Sequence, residues 1–169
     1  MRACSFGSGS SFPGVGNPAQ KVSLYQLISS GIAITMTDLK ARQPKGELVM
    51  RTIPMPADTN PNGDIFGGWV VSHMDLGGSA LARRTARCRV TTVAVDAMSF
   101  IYPVNIGDLV SCYARLESIG NTSMKIHIEV WVERLGQDAI CATEGCFTYV
   151  AIDENGRPVP VRTEKSEIA

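Results

Sequence analysis

The sequence contains no apolar run approaching the roughly 18 residues that a membrane-spanning helix needs. It also lacks an excess of either charge, since 16 Lys and Arg residues face 16 Asp and Glu residues. A neutral balance argues against a protein that binds nucleic acid through its overall charge. We therefore expect neither a membrane nor a nucleic acid as a partner.

The sequence also lacks the closely spaced cysteines and histidines that are typical of metal or redox sites. The five cysteines include no C-x-x-C pair, and an odd number in this context favours reduced thiols in a cytoplasmic protein. Cys112, Cys141 and Cys146 lie in strand-like segments, where cysteine usually acts as a small buried apolar residue. His73 and His127 are far apart and have no partner at ligand spacing. We expect no metal site and no cofactor.

The composition is that of a globular protein, because 44% of the 169 residues are hydrophobic and 19% are charged. Residues 1–43 begin with a Gly-, Ser- and Pro-rich stretch and are predicted to be a disordered extension. Met36 is an alternative start, which would make the residues before it an over-long gene prediction. Residues 44–160 are expected to form one domain, and 161–169 a flexible tail.

One long helix is predicted from Phe66 to about Arg84, because apolar residues recur there at steps of three and four. Gly77 and Gly78 are unusual inside it, since glycine costs about 1 kcal/mol relative to alanine in a helix. Small side chains allow another backbone to approach closely. We therefore expect this part of the helix to pack tightly against a sheet.

The remainder alternates between apolar and polar residues with a period of two, which is typical of half-buried antiparallel strands. The predicted strands are Glu47–Met55, Val90–Tyr102, Asp108–Ile119, Ser123–Leu135 and Ala139–Ile152. One helix with five long strands predicts an α+β domain in which a curved, five-stranded antiparallel sheet wraps around one central helix.

A turn with a single carboxylate, Asp64, precedes the helix. An acid at the start of a buried helix is a candidate reactive group, but the same position suits an ordinary N-cap. From the residues alone both interpretations stay open.

Several motifs in the same order resemble the acyl-CoA thioester hydrolases of the YciA type, which have the hotdog fold. They are Met55–Asn60, Asn62–Trp69, His73–Gly78, Thr92–Asp96, Phe100, Pro103-Val104, Gly107-Asp108, Glu129–Val132 and Phe147–Ala151. The resemblance covers about Pro44 to Pro160. It implies hydrolysis of acyl-CoA to free acid and CoA without a metal. It also implies homodimers with active sites at their interface, commonly assembled as a trimer of dimers, and places the catalytic aspartate at Asp64.

Thioester hydrolysis needs an activated nucleophile and a site for the oxyanion. Asp64 would act as general base, or as nucleophile through an anhydride. The helix start offers free N–H groups at Gly67 and Gly68, where a thioester oxygen can approach closely. Asn62 would position water or substrate, although it is equally well explained as a turn residue before Gly63.

The phosphates of CoA require polar and basic contacts. Thr122, Ser123 and Lys125 lie in a turn that resembles the region used near the nucleotide end in this family, and Arg115 is a further candidate. Other basic residues qualify too, and for each of them a solvated surface role competes. These are Arg84, Arg87 and Arg157.

Two other functions remain as alternatives. A hotdog hydratase or dehydratase would need a histidine paired with an acid near the helix, and the loop before Phe66 contains none. A non-catalytic acyl-CoA-binding or regulatory module would keep the pocket without needing the acid, and the presence of Asp64 disfavours it.

Overall fold

The computed structural model describes residues 42–161 of the chain. In chain order the elements are β1 (Glu47–Thr52), a short 3-10 turn (Pro56–Asp58), α1 (Gly67–Ala86), β2 (Arg89–Phe100), β3 (Leu109–Ile119), β4 (Ser123–Glu133) and β5 (Ile140–Ile152). The predictions made for the extension 1–43, the alternative start Met36 and the tail 161–169 fall almost entirely outside the described residues.

The five strands form one sheet in the order β1-β3-β4-β5-β2. Every neighbouring pair is antiparallel. Helix α1 packs against all five strands. The predicted α+β architecture, with one long helix against a five-stranded antiparallel sheet, is therefore confirmed.

The glycine pair in α1 marks the closest approach between helix and sheet, as expected. A Cβ atom on Gly78 would lie less than 3.0 Å from Tyr149 Oη and from Ile128 Cδ1. A Cβ atom on Gly77 would lie 2.8 Å from Val49 Cγ2. Only glycine lets the helix backbone approach this closely, and the side chains of Tyr149 and Ile128 beneath it are fully buried.

The ends of α1 differ slightly from the predicted bounds. Phe66 is the N-cap residue, with an extended ψ of 131°, so the helix begins one residue later than predicted. At the other end Arg87 takes a left-handed φ of 52° and donates its N–H to the carbonyl of Arg83, which stops the helix after Ala86. Arg83 and Arg84 in the last turn complement the helix dipole.

Strand β4 is buried on both faces, whereas the alternation predicted only one. On the face away from α1, which we call the outer face, His127, Glu129 and Trp131 are 8%, 0% and 2% exposed. The segment before β1 covers them. Arg42 contacts Glu129, and the backbone N–H of Lys45 donates to Glu129 Oε2 at 3.2 Å. Polar residues on this face are thus buried in ion pairs, which the alternation alone does not reveal.

Strands β1 and β2 are the two edges of the sheet. Strand β2 carries Val93, Val95 and Phe100 with exposed fractions of 55%, 47% and 56%. An edge strand with exposed apolar side chains favours pairing with another chain. Across residues 42–161, no helix is both long and apolar enough to span a membrane.

Candidate active site

The loop that carries Asp64 is tied to the body of the protein by backbone hydrogen bonds on both sides. Ile65 N–H donates to the carbonyl of Val104 at 2.8 Å, and Phe66 N–H donates to the carbonyl of Asp58 at 3.0 Å. Within the loop, the Asn60 side-chain oxygen accepts the N–H of Asp64 at 3.2 Å. These contacts hold the carboxylate at the start of α1.

The Asp64 carboxylate does not cap the helix. Phe66 occupies the N-cap position and makes no side-chain cap hydrogen bond, so the N-cap interpretation of Asp64 is wrong. Asp64 lies two residues earlier, and its Oδ1 accepts a hydrogen bond from Asn105 Nδ2 at 2.9 Å. No donor within residues 42–161 contacts its Oδ2. One carboxylate oxygen is therefore oriented by the protein and the other stays available.

Asn105 is itself fixed by a charged network. Its side-chain oxygen accepts a short hydrogen bond from Arg134, and its backbone N–H donates to Asp108 Oδ2 at 2.8 Å. Arg134 Nε donates to Asp108 Oδ1 at 2.9 Å and Nη1 to Tyr102 Oη at 2.9 Å. The hydrogen bond to Asp108 raises the pKa of Arg134. The amide of Asn105 consequently presents its NH₂ group to Asp64, because its oxygen is occupied by the guanidinium.

The first turn of α1 presents free backbone donors. Trp69 and Val70 both donate to the carbonyl of Phe66, at 3.0 and 3.3 Å. The N–H groups of Gly67 and Gly68 have no acceptor among the residues that the structure describes. Because neither residue has a side chain, a ligand oxygen can reach these donors, where the helix dipole also favours negative charge.

A cleft of about 380 Å³ opens beside this helix start. Asp64, Gly67 and Val70 line one wall, and Phe100 and Tyr102 line another. Phe100 belongs to the edge strand β2 and is 56% exposed, so one wall of the cleft lies at the open edge of the sheet. The carboxylate and the helix start thus face one partly apolar space, as ligand sites commonly do.

Thr143 contributes a polar group to the same cleft. It lies on β5 opposite Val130 of β4 and Phe100 of β2, on the face that packs against α1. The residue is 0% exposed, and its hydroxyl has no hydrogen-bond partner within residues 42–161. A buried hydroxyl without a partner is unfavourable by about 1–3 kcal/mol. A substrate or water bound in the cleft would supply the missing hydrogen bond.

Sequence reasoning located some of these residues and missed others. Of the predicted site residues, Asp64 and Gly67 line the cleft, whereas Asn62 and Gly68 are exposed and lie outside its lining. Asn60, two residues before Asn62, lines the cleft instead. Asn105 and Thr143 carried no local signal, because they reach the site only through the pairing of distant strands.

The residues predicted to hold the CoA phosphates lie elsewhere in the same chain. Thr122, Ser123 and Lys125 lie at the β3–β4 turn, and Lys125 pairs with Thr148 in the sheet. Five residues of β5 separate Thr148 from Thr143, or roughly 16 Å at the usual rise per residue. The ammonium of Lys125 contacts Asp96 at 2.9 Å, and Arg115 contacts Glu117 at 3.1 Å. One chain therefore does not bring this group to Asp64.

Two groups of side chains within residues 42–161 have a geometry that could hold a metal ion, and both lie on the outer face, away from the cleft. They share His127. One also contains Glu117 and Cys146, and the other Glu129 and Glu144. The second group is engaged by Arg42, which lies 2.8 Å from Glu144 Oε2. Burial acts to raise the pKa of Glu129, but hydrogen bonds from His127 and Trp131 outweigh it and lower this pKa overall.

Comparison with known proteins identifies the family. A family model described as the thioesterase superfamily matches residues 62–139. The acyl-CoA thioester hydrolase YciA of Escherichia coli K12 is 54% identical over 119 residues, which are 68% of this chain and 90% of that relative. This chain belongs to the YciA-type acyl-CoA thioester hydrolases. The predicted resemblance and the thiolester hydrolase class are confirmed.

Solved structures of thioesterases agree. The hexameric thioesterase of Yersinia pestis is 53% identical with a TM-score of 0.69, and the match covers 72% of this chain and 100% of that one. A hexameric hotdog fold thioesterase of Campylobacter jejuni is 38% identical with a TM-score of 0.67, covering 73% and 96%. The hotdog fold of this YciA-type chain is therefore confirmed.

Proposed function

We propose that this chain hydrolyses the thioester of acyl-CoA to free acid and CoA, with Asp64 activating the attacking group and the start of α1 polarising the carbonyl. The observation that carries the proposal is that an oriented carboxylate and an uncapped helix start face the same cleft. The relatives named acyl-CoA thioester hydrolases support the choice of substrate class.

Asp64 has the geometry of a general base. With Oδ1 held by Asn105, Oδ2 can take a proton from a water molecule as that water adds to the thioester carbon. The tetrahedral intermediate then collapses, the C–S bond breaks, and the CoA thiolate takes up a proton. Direct attack by Oδ2 on the same carbon, giving an anhydride that water later hydrolyses, uses the same orientation.

The N–H groups of Gly67 and Gly68 are placed to receive the oxygen that becomes negative. They are unpaired within residues 42–161, they lie at the positive end of the helix dipole, and neither residue has a side chain of its own. Each such donor contributes roughly 2.7–4 kcal/mol to stabilising an oxyanion. Because these donors are backbone groups, their position depends on how α1 begins rather than on any side chain.

We propose a homo-oligomer, built of dimers and assembled as a trimer of dimers, as the functional form. The relatives solved as hexamers support this, and so does the exposed apolar edge of β2. Phe100 of that edge also lines the cleft, so a partner chain packed there would complete its wall. The partner would also be the source of contacts to the CoA phosphates, through Thr122, Ser123, Lys125 and Arg115.

A cytoplasmic location is part of the proposal. The support comes from the four cysteines among residues 42–161, Cys88, Cys112, Cys141 and Cys146, which are all free thiols. Unpaired cysteines are usual in a reducing compartment.

The test is hydrolysis by the wild type and by Asp64→Asn, followed as release of free CoA thiol from acetyl-, butyryl- and longer acyl-CoAs. Asparagine keeps the shape of the side chain and removes the base. We expect the variant to lose at least ~100-fold in kcat/KM, the usual scale for an acid–base group.

Asp58→Asn is the matched control. Asp58 is a carboxylate of the same loop, but its Oδ2 accepts the N–H of Met55 at 2.7 Å and it does not line the cleft. We expect this variant to keep activity close to the wild type. Undiminished turnover by Asp64→Asn would remove Asp64 from the mechanism. Binding of acyl-CoA without turnover by the wild type would indicate the non-catalytic module instead.

A further inference from the structure

Three neighbouring strands bring a carboxylate, an imidazole and a thiol together on the outer face of the sheet. They are Glu117 of β3, His127 of β4 and Cys146 of β5. His127 is paired directly with Cys146 in the β4–β5 register. The sequence gives no sign of this group, because each member lies on a different strand. Nothing in the proposed hydrolysis uses it.

One ligand atom from each of the three side chains lies within 4.8 Å of the others, which is close to the spacing of three ligands on one face of a tetrahedral zinc site. His127 Nδ1 lies 3.5 Å from Cys146 Sγ, Cys146 Sγ lies 3.6 Å from Glu117 Oε2, and His127 Nδ1 lies 3.9 Å from Glu117 Oε1. Zinc bonds of about 2.3 Å to sulfur and about 2.0–2.2 Å to nitrogen and oxygen place tetrahedral ligand atoms about 3.3–3.6 Å apart. Oε2 of Glu117 faces the thiol and Oε1 faces the imidazole, so the carboxylate would have to turn one oxygen inward to complete the geometry.

The other nitrogen of the imidazole faces two carboxylates. His127 Nε2 faces Glu129 Oε1 at 3.7 Å and Glu144 Oε2 at 3.9 Å. Both carboxylates are buried, and Glu129 is held by the indole N–H of Trp131 at 2.9 Å. A histidine that binds a metal almost always directs its second ring nitrogen to a carboxylate or carbonyl, which fixes the ring and makes it a better ligand.

The basic side chains around the group are each paired with an acidic side chain. Arg42 is committed to Glu129 and Glu144, and Lys125 to Asp96. Arg115 contacts Oε1 of Glu117, so Oε2 is the oxygen that faces the thiol. A thiol, an imidazole and a carboxylate form a donor set that suits zinc better than calcium or magnesium, which prefer oxygen ligands alone.

We propose that Glu117, His127 and Cys146 bind a zinc ion on the outer face, with water in the fourth position. The ion would join three adjacent strands and stabilise the sheet. The site is on the opposite face from the Asp64 cleft, so the proposal does not rest on the proposed hydrolysis.

The test uses the full chain without an affinity tag, in a Cys4→Ser, Cys88→Ser background that leaves Cys146 as the only thiol outside the buried pair Cys112 and Cys141. Equilibrium dialysis against zinc alone is expected to give one ion per chain. Cobalt(II) is expected to give the near-ultraviolet absorption of a thiolate–cobalt bond, which only a cysteine ligand produces.

Cys146→Ser is the decisive variant, with Glu117→Gln and His127→Asn beside it. Loss of a ligand is expected to weaken zinc binding at least ~10-fold, since even the partners behind the ligands are worth 10–100-fold. Cys146→Ser should also lose the cobalt absorption while circular dichroism and thermal unfolding without metal confirm that it folds. No zinc retained by the background protein, or zinc binding unchanged in Cys146→Ser, would overturn the proposal and leave a hydrogen-bonded cluster only.

Discussion

Replacing Gly78 by alanine tests how closely the helix must lie on the sheet. Gly78 is buried, and the new methyl group would lie less than 3.0 Å from Tyr149 Oη and from Ile128 Cδ1. Neither neighbour is free to move. The hydroxyl of Tyr149 donates to Asp75, whose Oδ1 and backbone oxygen both lie 3.2 Å away. Tyr149 and Ile128 are both 0% exposed.

The magnitude follows from three opposing effects. Alanine is favoured over glycine in a helix by about 1 kcal/mol. Overpacking a close-packed core costs typically about 1–3 kcal/mol. If Tyr149 gives way, its hydrogen bond to Asp75 is lost at a further cost of about 1 kcal/mol. We expect Gly78→Ala to lower the free energy of unfolding by about 1–3 kcal/mol, because the clash outweighs the gain in helix propensity.

Gly68→Ala is the matched control. This glycine lies in the same helix, and its added Cβ would meet no atom within 4 Å. We expect its stability to equal or slightly exceed that of the wild type. The measurement is urea unfolding followed by circular dichroism, at one protein concentration because an oligomer's stability depends on it. If Gly78→Ala proves as stable as Gly68→Ala, the account of helix–sheet packing is wrong.

Two further predictions concern the cleft and the edge beside it. Thr143→Val removes the unpaired buried hydroxyl, so we expect equal or higher thermal stability but at least ~10-fold lower kcat/KM. Thr143→Ser restores a hydroxyl and should recover the activity. Unchanged kinetics in Thr143→Val would exclude a contact between this hydroxyl and the substrate. Val95→Asp places a charge on the exposed edge of β2 and should shift the mass measured by light scattering toward the 18.2 kDa monomer. The control is Leu135→Asp, at a fully exposed turn, which should have the same mass by light scattering as the wild type. Equal masses for the wild type, Val95→Asp and Leu135→Asp would argue against β2 as the interface.

Local patterns were enough to predict the elements of this fold. A period of two identified four strands after the helix, and a period of three to four identified α1 to within a few residues of its bounds. Gly77 and Gly78 predicted the tight helix–sheet contact, because only a close approach explains two adjacent glycines inside a helix. Each of these signals is carried by residues near one another in the chain.

The details of the site depend on contacts between distant residues, which such patterns do not contain. Asn105 orients Asp64 from 41 positions away, and Thr143 reaches the cleft only because β5 lies between β2 and β4. The sequence left the N-cap interpretation of Asp64 open for a related reason. An aspartate before a helix suggests a cap, but here the loop bonds to Val104 and Asp58 and turns the carboxylate toward Asn105.

The buried outer face of β4 limits where this chain can be shortened. A chain that began at Met36 would retain Arg42 and Lys45, and with them the contacts that cover Glu129. A chain trimmed to the first strand at Glu47 would keep every strand and the whole helix, yet it would remove the guanidinium from a carboxylate that is 0% exposed. Trimming would break this ion pair and uncover the outer face, so we expect it to lower the free energy of unfolding. The useful domain boundary therefore lies before Arg42, several residues ahead of the first regular element.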